Sequence, residues 1–139
     1  MISIKQYIDK LDKKKVFVVI KPGSLQYTNN VIDKLKEIGW SVEKTKVKLL
    51  TLKEAKQLYL VHKEEEFYKD LCKYMSSDIS RAFIFCKDGE PNEKDFEEIS
   101  KVKDEIRKEF GESDMRNVMH SSDSQEAMNN EARIYFNII

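Results

Sequence analysis

A chain of 139 residues is long enough to bury one proper core and is read as a single domain, residues 1–139. Its 25 basic and 25 acidic residues cancel, so the surface is heavily charged but has no large field for a nucleic acid or a membrane surface as partner. It shows neither a membrane-spanning apolar run nor a signal peptide. Cys72 and Cys86 lack metal-ligand spacing and read as reduced core residues of a cytoplasmic protein, a single disulfide being the alternative.

Met1 to Asp12 sets Ile2, Ile4, Tyr7, Ile8 and Leu11 among polar residues in a roughly helical rhythm, which predicts an extra amino-terminal helix over residues 1–14. Such a helix either packs back onto the domain or docks another subunit or protein partner. Val16 to Ile20 is continuously apolar, as in a central strand covered on both faces. Lys21 emerges at its end, where a long stem can carry an ammonium to a phosphate. Pro22, Gly23 and Ser24 make a turn, and Val31, Ile32, Leu35 and Ile38 then recur at helical spacing until Gly39 stops the helix.

Trp40 to Leu50 alternates on two phases, Trp40 and Val42 against Thr45, Val47 and Leu49, which predicts a strand with a bulge. Two short helices follow as a hairpin, the first with Ala55, Leu58, Tyr59 and His62, the second with Phe67, Tyr68, Leu71, Cys72, Tyr74 and Met75. His62 reads as structural or solvated, and Glu64 to Glu66 as a solvated turn. Ile79 to Cys86 is a strand ended by the turn-forming residues 87–92, and Phe96, Ile99, Ile106 and Phe110 fall near one face of a single helix from about Glu93.

Val118 and Met119 form a short apolar piece before His120, and Ser122, Asp123 and Ser124 are helix-capping types. His120 is thus expected at a strand-helix junction, where unpaired N–H groups and the helix dipole favour an anion. Down that helix, Ala127, Glu131, Ile134 and Ile138 share a face, which places a carboxylate on an apolar stripe. A buried Glu needs a partner, and Glu131 bonded to one ring nitrogen of His120 fixes the tautomer and leaves the other nitrogen to attack phosphorus. On these residues alone, the competing reading is an ordinary core or surface histidine beside a flanking Glu.

The Val16 to Pro22 run ending in Lys-Pro, together with Arg116-Asn117-Val118-Met119-His120-Ser121-Ser122-Asp123-Ser124, resembles the nucleoside diphosphate kinase family over roughly Lys15 to Phe136. The resemblance implies that His120 is transiently phosphorylated, with Lys21, Ser122 and Glu131 completing the catalytic set. It also implies that Lys21, Tyr59 and Arg107 contact phosphates, Asn117 the sugar 3′ hydroxyl, and Phe67 and Leu71 the base. Without it, Phe67 and Leu71 read as plain helix packing. Nucleoside di- and triphosphates are then the ligands. Mg²⁺ comes bound through their phosphates rather than in a protein metal site, and a homo-oligomer is implied.

Departures are also visible. Gly23 stands where the family has Asp, the Arg-Gly pair after it is missing, and Ser121 replaces a Gly beside the histidine. Between Lys87 and Lys103 there is no Arg or Thr to clamp phosphates, and the family's interface loop is shortened. Lys94, Lys101 and Lys103 can return charge there but not the planar fork of Arg. This pattern is closer to a divergent group that includes domains housed in cilia, and a lost clamp implies turnover slower by on the order of 10² to 10⁴.

The expected fold is α+β, a ferredoxin-like four-stranded antiparallel sheet in β-α-β-β-α-β order with packed helices and a helical hairpin, its strands near 16–21, 40–50, 79–86 and 117–120. The expected function is transfer of the γ-phosphoryl of a nucleoside triphosphate to a nucleoside diphosphate through His120. The alternative is a weak or inactive nucleotide-binding scaffold. Single-stranded RNA binding is disfavoured by the balanced charge.

Overall fold

The computed structural model describes residues 13–136. Its sheet is built around β1 (Lys13–Ile20), whose last five residues, Val16 to Ile20, are all buried. β3 (Ser80–Asp88) pairs antiparallel with the whole of β1, from Lys13 opposite Asp88 to Ile20 opposite Arg81. On the other side β1 pairs antiparallel with the short β4 (Met119–Ser121), and β2 (Ser41–Lys48) lines the outer edge of β3, giving the order β2-β3-β1-β4. With the helices this is the ferredoxin-like α+β arrangement expected. The predicted bulge is present: the β2–β3 register shifts between Val42 and Lys44.

The helices are α1 (Thr28–Glu37), α2 (Leu52–Leu58), α3 (Tyr68–Met75), α4 (Lys94–Phe110) and α5 (Gln125–Tyr135). Each start or stop has a local cause. Gly39, at φ +95°, takes the left-handed conformation that ends α1. Thr51 and Glu54 form a reciprocal capping box on α2, and Lys48 Nζ reaches Glu54 at 2.5 Å, holding that carboxyl below its ordinary range. Ser124 caps α5, its Oγ accepting the Ala127 N–H at 3.1 Å. α2 and α3 form the predicted hairpin with exposed Glu64 to Glu66 in its turn.

Several boundaries differ from the sequence reading. Lys13 and Lys14 belong to β1 and not to an amino-terminal helix; the rest of that predicted helix lies outside the described residues. Trp40 and Leu50, expected inside the second strand, flank it as core plugs, because the chain turns inward at both ends while the strand itself is exposed. Lys21 leaves β1, and Asn117 and Val118 precede β4 rather than opening it. On α5 the buried stripe is Met128, Ala132 and Tyr135, one residue on from the one predicted. Ala127, Glu131 and Ile134 form its half-buried flank, while Ile138 lies outside the described residues. Both cysteines are free thiols, Cys72 buried.

β1 alternates its side chains between the two faces, and the Tyr135 ring of α5 lies 6.0 Å from the Phe17 ring. α5 therefore covers the face of Phe17 and Val19. Because Val19 pairs with His120, the imidazole is delivered to that same face, under α5.

Candidate functional site

The approach to β4 is bent sharply. Val118 sits at φ +77°, and the Met119 N–H donates to the Asn117 carbonyl at 3.0 Å, closing a γ-turn. For a β-branched residue this backbone costs about 1–3 kcal/mol and persists only where its surroundings over-determine it. They do so here from both sides. The Lys21 N–H donates to the Val118 carbonyl at 2.8 Å, and Arg107 grips the Met119 carbonyl through Nε at 3.1 Å and Nη2 at 2.8 Å. Asn117 Nδ2 donates to the Asp114 carbonyl at 2.7 Å.

His120 follows directly. Its Nε2 is hydrogen-bonded to Glu131 Oε1, and both side chains are largely buried, 17% and 12% exposed. With the carboxylate accepting from Nε2, the tautomer places the lone pair on Nδ1, and that atom has no hydrogen-bond partner among the described residues. The edge of the imidazole meets Tyr59, with ring centroids 5.2 Å apart and planes at 66°.

Around this pair the chain collects cations. Lys21, only 3% exposed, donates through Nζ to Asn117 Oδ1 at 2.6 Å and to the Met115 carbonyl at 3.3 Å, and its Nζ lies 6.0 Å from the Tyr59 ring. Burial, then the charges of Arg107 and Lys103, pulls its pKa from 10.5 down to about 7. Tyr59 is buried with its hydroxyl unpartnered among the described residues, and burial pushes that phenol well above its ordinary value. Ser122 is also buried. Its N–H donates to the Phe17 carbonyl at 3.2 Å, while its Oγ and that of Ser121 have no partner among the described residues. Unpartnered buried hydroxyls are rare enough to require an explanation, and a ligand or water beside His120 supplies one for Tyr59 and Ser122, whereas Ser121, paired with Val18, faces the other side of the sheet.

The residues expected at the base lie further out, on the hairpin. Phe67 is 44% exposed at the start of α3, whereas Leu71 is 6% exposed and sits mostly in the core. A file of rings joins them to the histidine: Phe67 to His62 at 5.4 Å, His62 to Tyr59 at 6.4 Å, Tyr59 to His120. His62, read as structural or solvated, is a half-buried link in that file. Of the three lysines expected to return charge, Lys94 and Lys101 are exposed, and only Lys103 comes near Lys21 and Arg107.

A cavity of about 540 Å³ opens beside Arg107 and Asn117, lined also by Gly111, Ser113 and Asp114; His120 and Tyr59 do not line it, so it adjoins the cation cluster rather than enclosing the ring. Gly111 must be Gly there, since a Cβ would lie 2.4 Å from the Arg107 carbonyl oxygen.

The family model of nucleoside diphosphate kinase matches residues 14–138. This chain belongs to the nucleoside diphosphate kinase family. The match takes in every site residue described above, from Lys21 to Glu131.

Among relatives, a nucleoside diphosphate kinase of Geotalea uraniireducens is 32% identical over 135 residues, 88% of this chain and 95% of that protein. One from Helicobacter pylori is 30% identical, covering 89% of this chain and 96% of its own length. Among solved structures, the nucleoside diphosphate kinase of Aquifex aeolicus superposes with a TM-score of 0.71 at 26% identity, over 89% of this chain and 95% of that one. Family membership thus agrees with the fold and with the motif that surrounds His120.

Two features escaped the sequence reading: the grip of Arg107 on the Met119 carbonyl, and the ring file through His62. The first is a side-chain to backbone contact, which no residue pattern encodes. The second had a signal in the two aromatic residues flanking His62, Tyr59 and Phe67.

Proposed function

We propose that the protein moves the γ-phosphoryl of a nucleoside triphosphate to a nucleoside diphosphate through a phosphohistidine at His120. Nδ1 attacks the γ-phosphorus, the bond to the β,γ-bridging oxygen breaks, and the diphosphate leaves. A terminal oxygen of a second diphosphate then attacks the phosphorus, the N–P bond breaks, and neutral His120 returns. Nε2 keeps its proton throughout, so the phosphorylated ring is cationic and the Glu131 carboxylate stabilises it. The observation that carries this reading is the His120–Glu131 pair, which leaves Nδ1 without a partner among the described residues on a ring that meets Tyr59, itself 6.0 Å from Lys21 Nζ. A nucleotide-binding scaffold without turnover has no use for such a pair.

Phosphoryl transfer is served mostly by positioning and charge neutralisation, which falls here to Lys21, the free Nη1 of Arg107 and the Tyr59 hydroxyl. Asn117 is assigned to the sugar. Phe67 stacks on the base, with Leu71 behind it, and stacking tolerates any base. Mg²⁺ enters as part of the substrate, carried on its phosphates. Exposed Val42, Val47, Leu49 and Leu52 along and beyond β2 support self-association through that edge.

The test is γ-phosphate exchange between Mg·ATP and dGDP, with an acid-labile phosphoenzyme measured alongside. Wild type is expected to show both. His120→Ala should lose the phosphoenzyme and slow exchange at least about 10³-fold. Equal exchange by the two proteins refutes the reading.

A further inference from the structure

We propose that Lys103 is a third phosphate-binding cation, closing with Lys21 and Arg107 on the terminal phosphates of the bound nucleotide. The inference rests on the nucleotide reading of the site and adds to it a residue that no pattern in the His120 motif contains. Lys103 lies one turn before Arg107 on α4, and residues four apart share a face of a helix. Val102 and Ile106 turn into the core, which leaves Lys103 and Arg107 together at the margin of the site.

Like charges at this spacing disfavour the helix, and Lys21 adds a third cation from the end of β1. Burial and Arg107 lower the proton affinity of Lys103, and Lys103 in turn helps to lower that of Lys21. Asp104 and Asp123 act on Lys103 at a distance, but neither makes an ion pair with it. Other half-buried lysines are treated differently: Lys14 meets Asp95 at 2.9 Å, Lys34 meets Glu105 at 3.4 Å and Lys48 meets Glu54 at 2.5 Å. Lys103 has no hydrogen bond or ion pair among the described residues, although its stem is half-buried. Three cations gathered with no ion pair to a carboxylate among the described residues, and with Asp104 and Asp123 acting on Lys103 and Arg107 only at a distance, are complementary to a polyanion, and beside a histidine nucleophile the polyanion is a nucleoside di- or triphosphate.

The test compares wild type, K103Q and K103R for binding of AMP, ADP and ATP, together with the melting temperature of each ligand-free protein. Lys103→Gln should weaken ATP and ADP on the order of tenfold and AMP far less. Lys103→Arg should restore most of that affinity, and the ligand-free Gln variant should melt no lower than wild type because a repulsion has been removed. Undiminished ATP binding by Lys103→Gln overturns the proposal, as does an equal loss for all three nucleotides accompanied by a lower melting temperature. If wild type itself binds none of the three, the nucleotide reading falls and this inference with it; if wild type exchanges phosphate normally and only the Lys103 effect is missing, this inference falls alone.

Discussion

The two edges of the sheet are built on opposite principles. β4 has three residues and is approached through a strained turn, yet it is locked by Arg107, Lys21 and Asn117 and carries the histidine. β2 has eight residues, regular apart from one bulge, and leaves Val42 and Val47 39% and 46% exposed. The nucleophile proposed for β4 has to be held to within a fraction of an ångström, which needs a backbone over-determined by side chains from other elements. The contact between copies proposed for β2 needs only an accessible ladder and some apolar area.

The largest effect on stability is expected at the lock. Arg107→Ala removes two charge-assisted bonds to the Met119 carbonyl and leaves that buried acceptor unsatisfied, which should cost about 2–3 kcal/mol in urea unfolding. If β4 were held by its ladder alone, the loss would fall within about 0.5 kcal/mol. Arg107→Lys should recover less than half, because an ammonium cannot reproduce the paired Nε and Nη2 geometry.

Lys21 gives a smaller effect with a definite sign. Its pKa lies near 7 in the folded protein against 10.5 ordinarily, so between those values the unfolded chain binds the extra proton. Ligand-free stability should therefore rise with pH from about 7 towards 10.5, and the cost of burying the ammonium is fully present below 7. A bound phosphate favours the charged form and raises the pKa, so nucleotide binding above pH 7 should take up a proton, with affinity falling as pH rises. Calorimetry in buffers of different ionisation enthalpy measures the uptake. The difference between wild type and Lys21→Met separates the lysine from the nucleotide's own phosphate, and identical uptake in the two proteins would refute the assignment.

How much of each edge was legible in the chain follows from the same contrast. The Val16 to Ile20 run fixed the central strand because five consecutive apolar residues need cover on both faces, and the alternation in β2 betrayed its bulge by a change of phase. The Glu131 partnership with His120 was readable from helical spacing. The buried stripe of α5 was not, since Ala127, Met128 and Ala132 make two overlapping apolar rows and only packing against Phe17 chooses between them. Nothing in Asn117-Val118-Met119 announces a positive φ, because strain at a β-branched residue is imposed by Lys21 and Arg107 from distant parts of the chain. The amphipathic pattern of residues 1–12 lies outside the described residues.

The smallest effect is the one that sharpens the contrast most. Val47 is exposed near the end of β2, so Val47→Lys should change the unfolding free energy by no more than about 0.5 kcal/mol. It should also leave the rate of phosphohistidine formation unaltered, since β2 and β4 lie at opposite ends of the sheet order. What it should change is the mass measured by light scattering, because an added charge facing its copy across a strand edge repels it. Unchanged mass for Val47→Lys, with wild type associated, would move the subunit contact away from β2. A monomeric wild type would instead show that the exposed valines serve no contact between copies, and that an apolar edge is tolerated here by Lys44, Lys46 and Lys48 along the same strand.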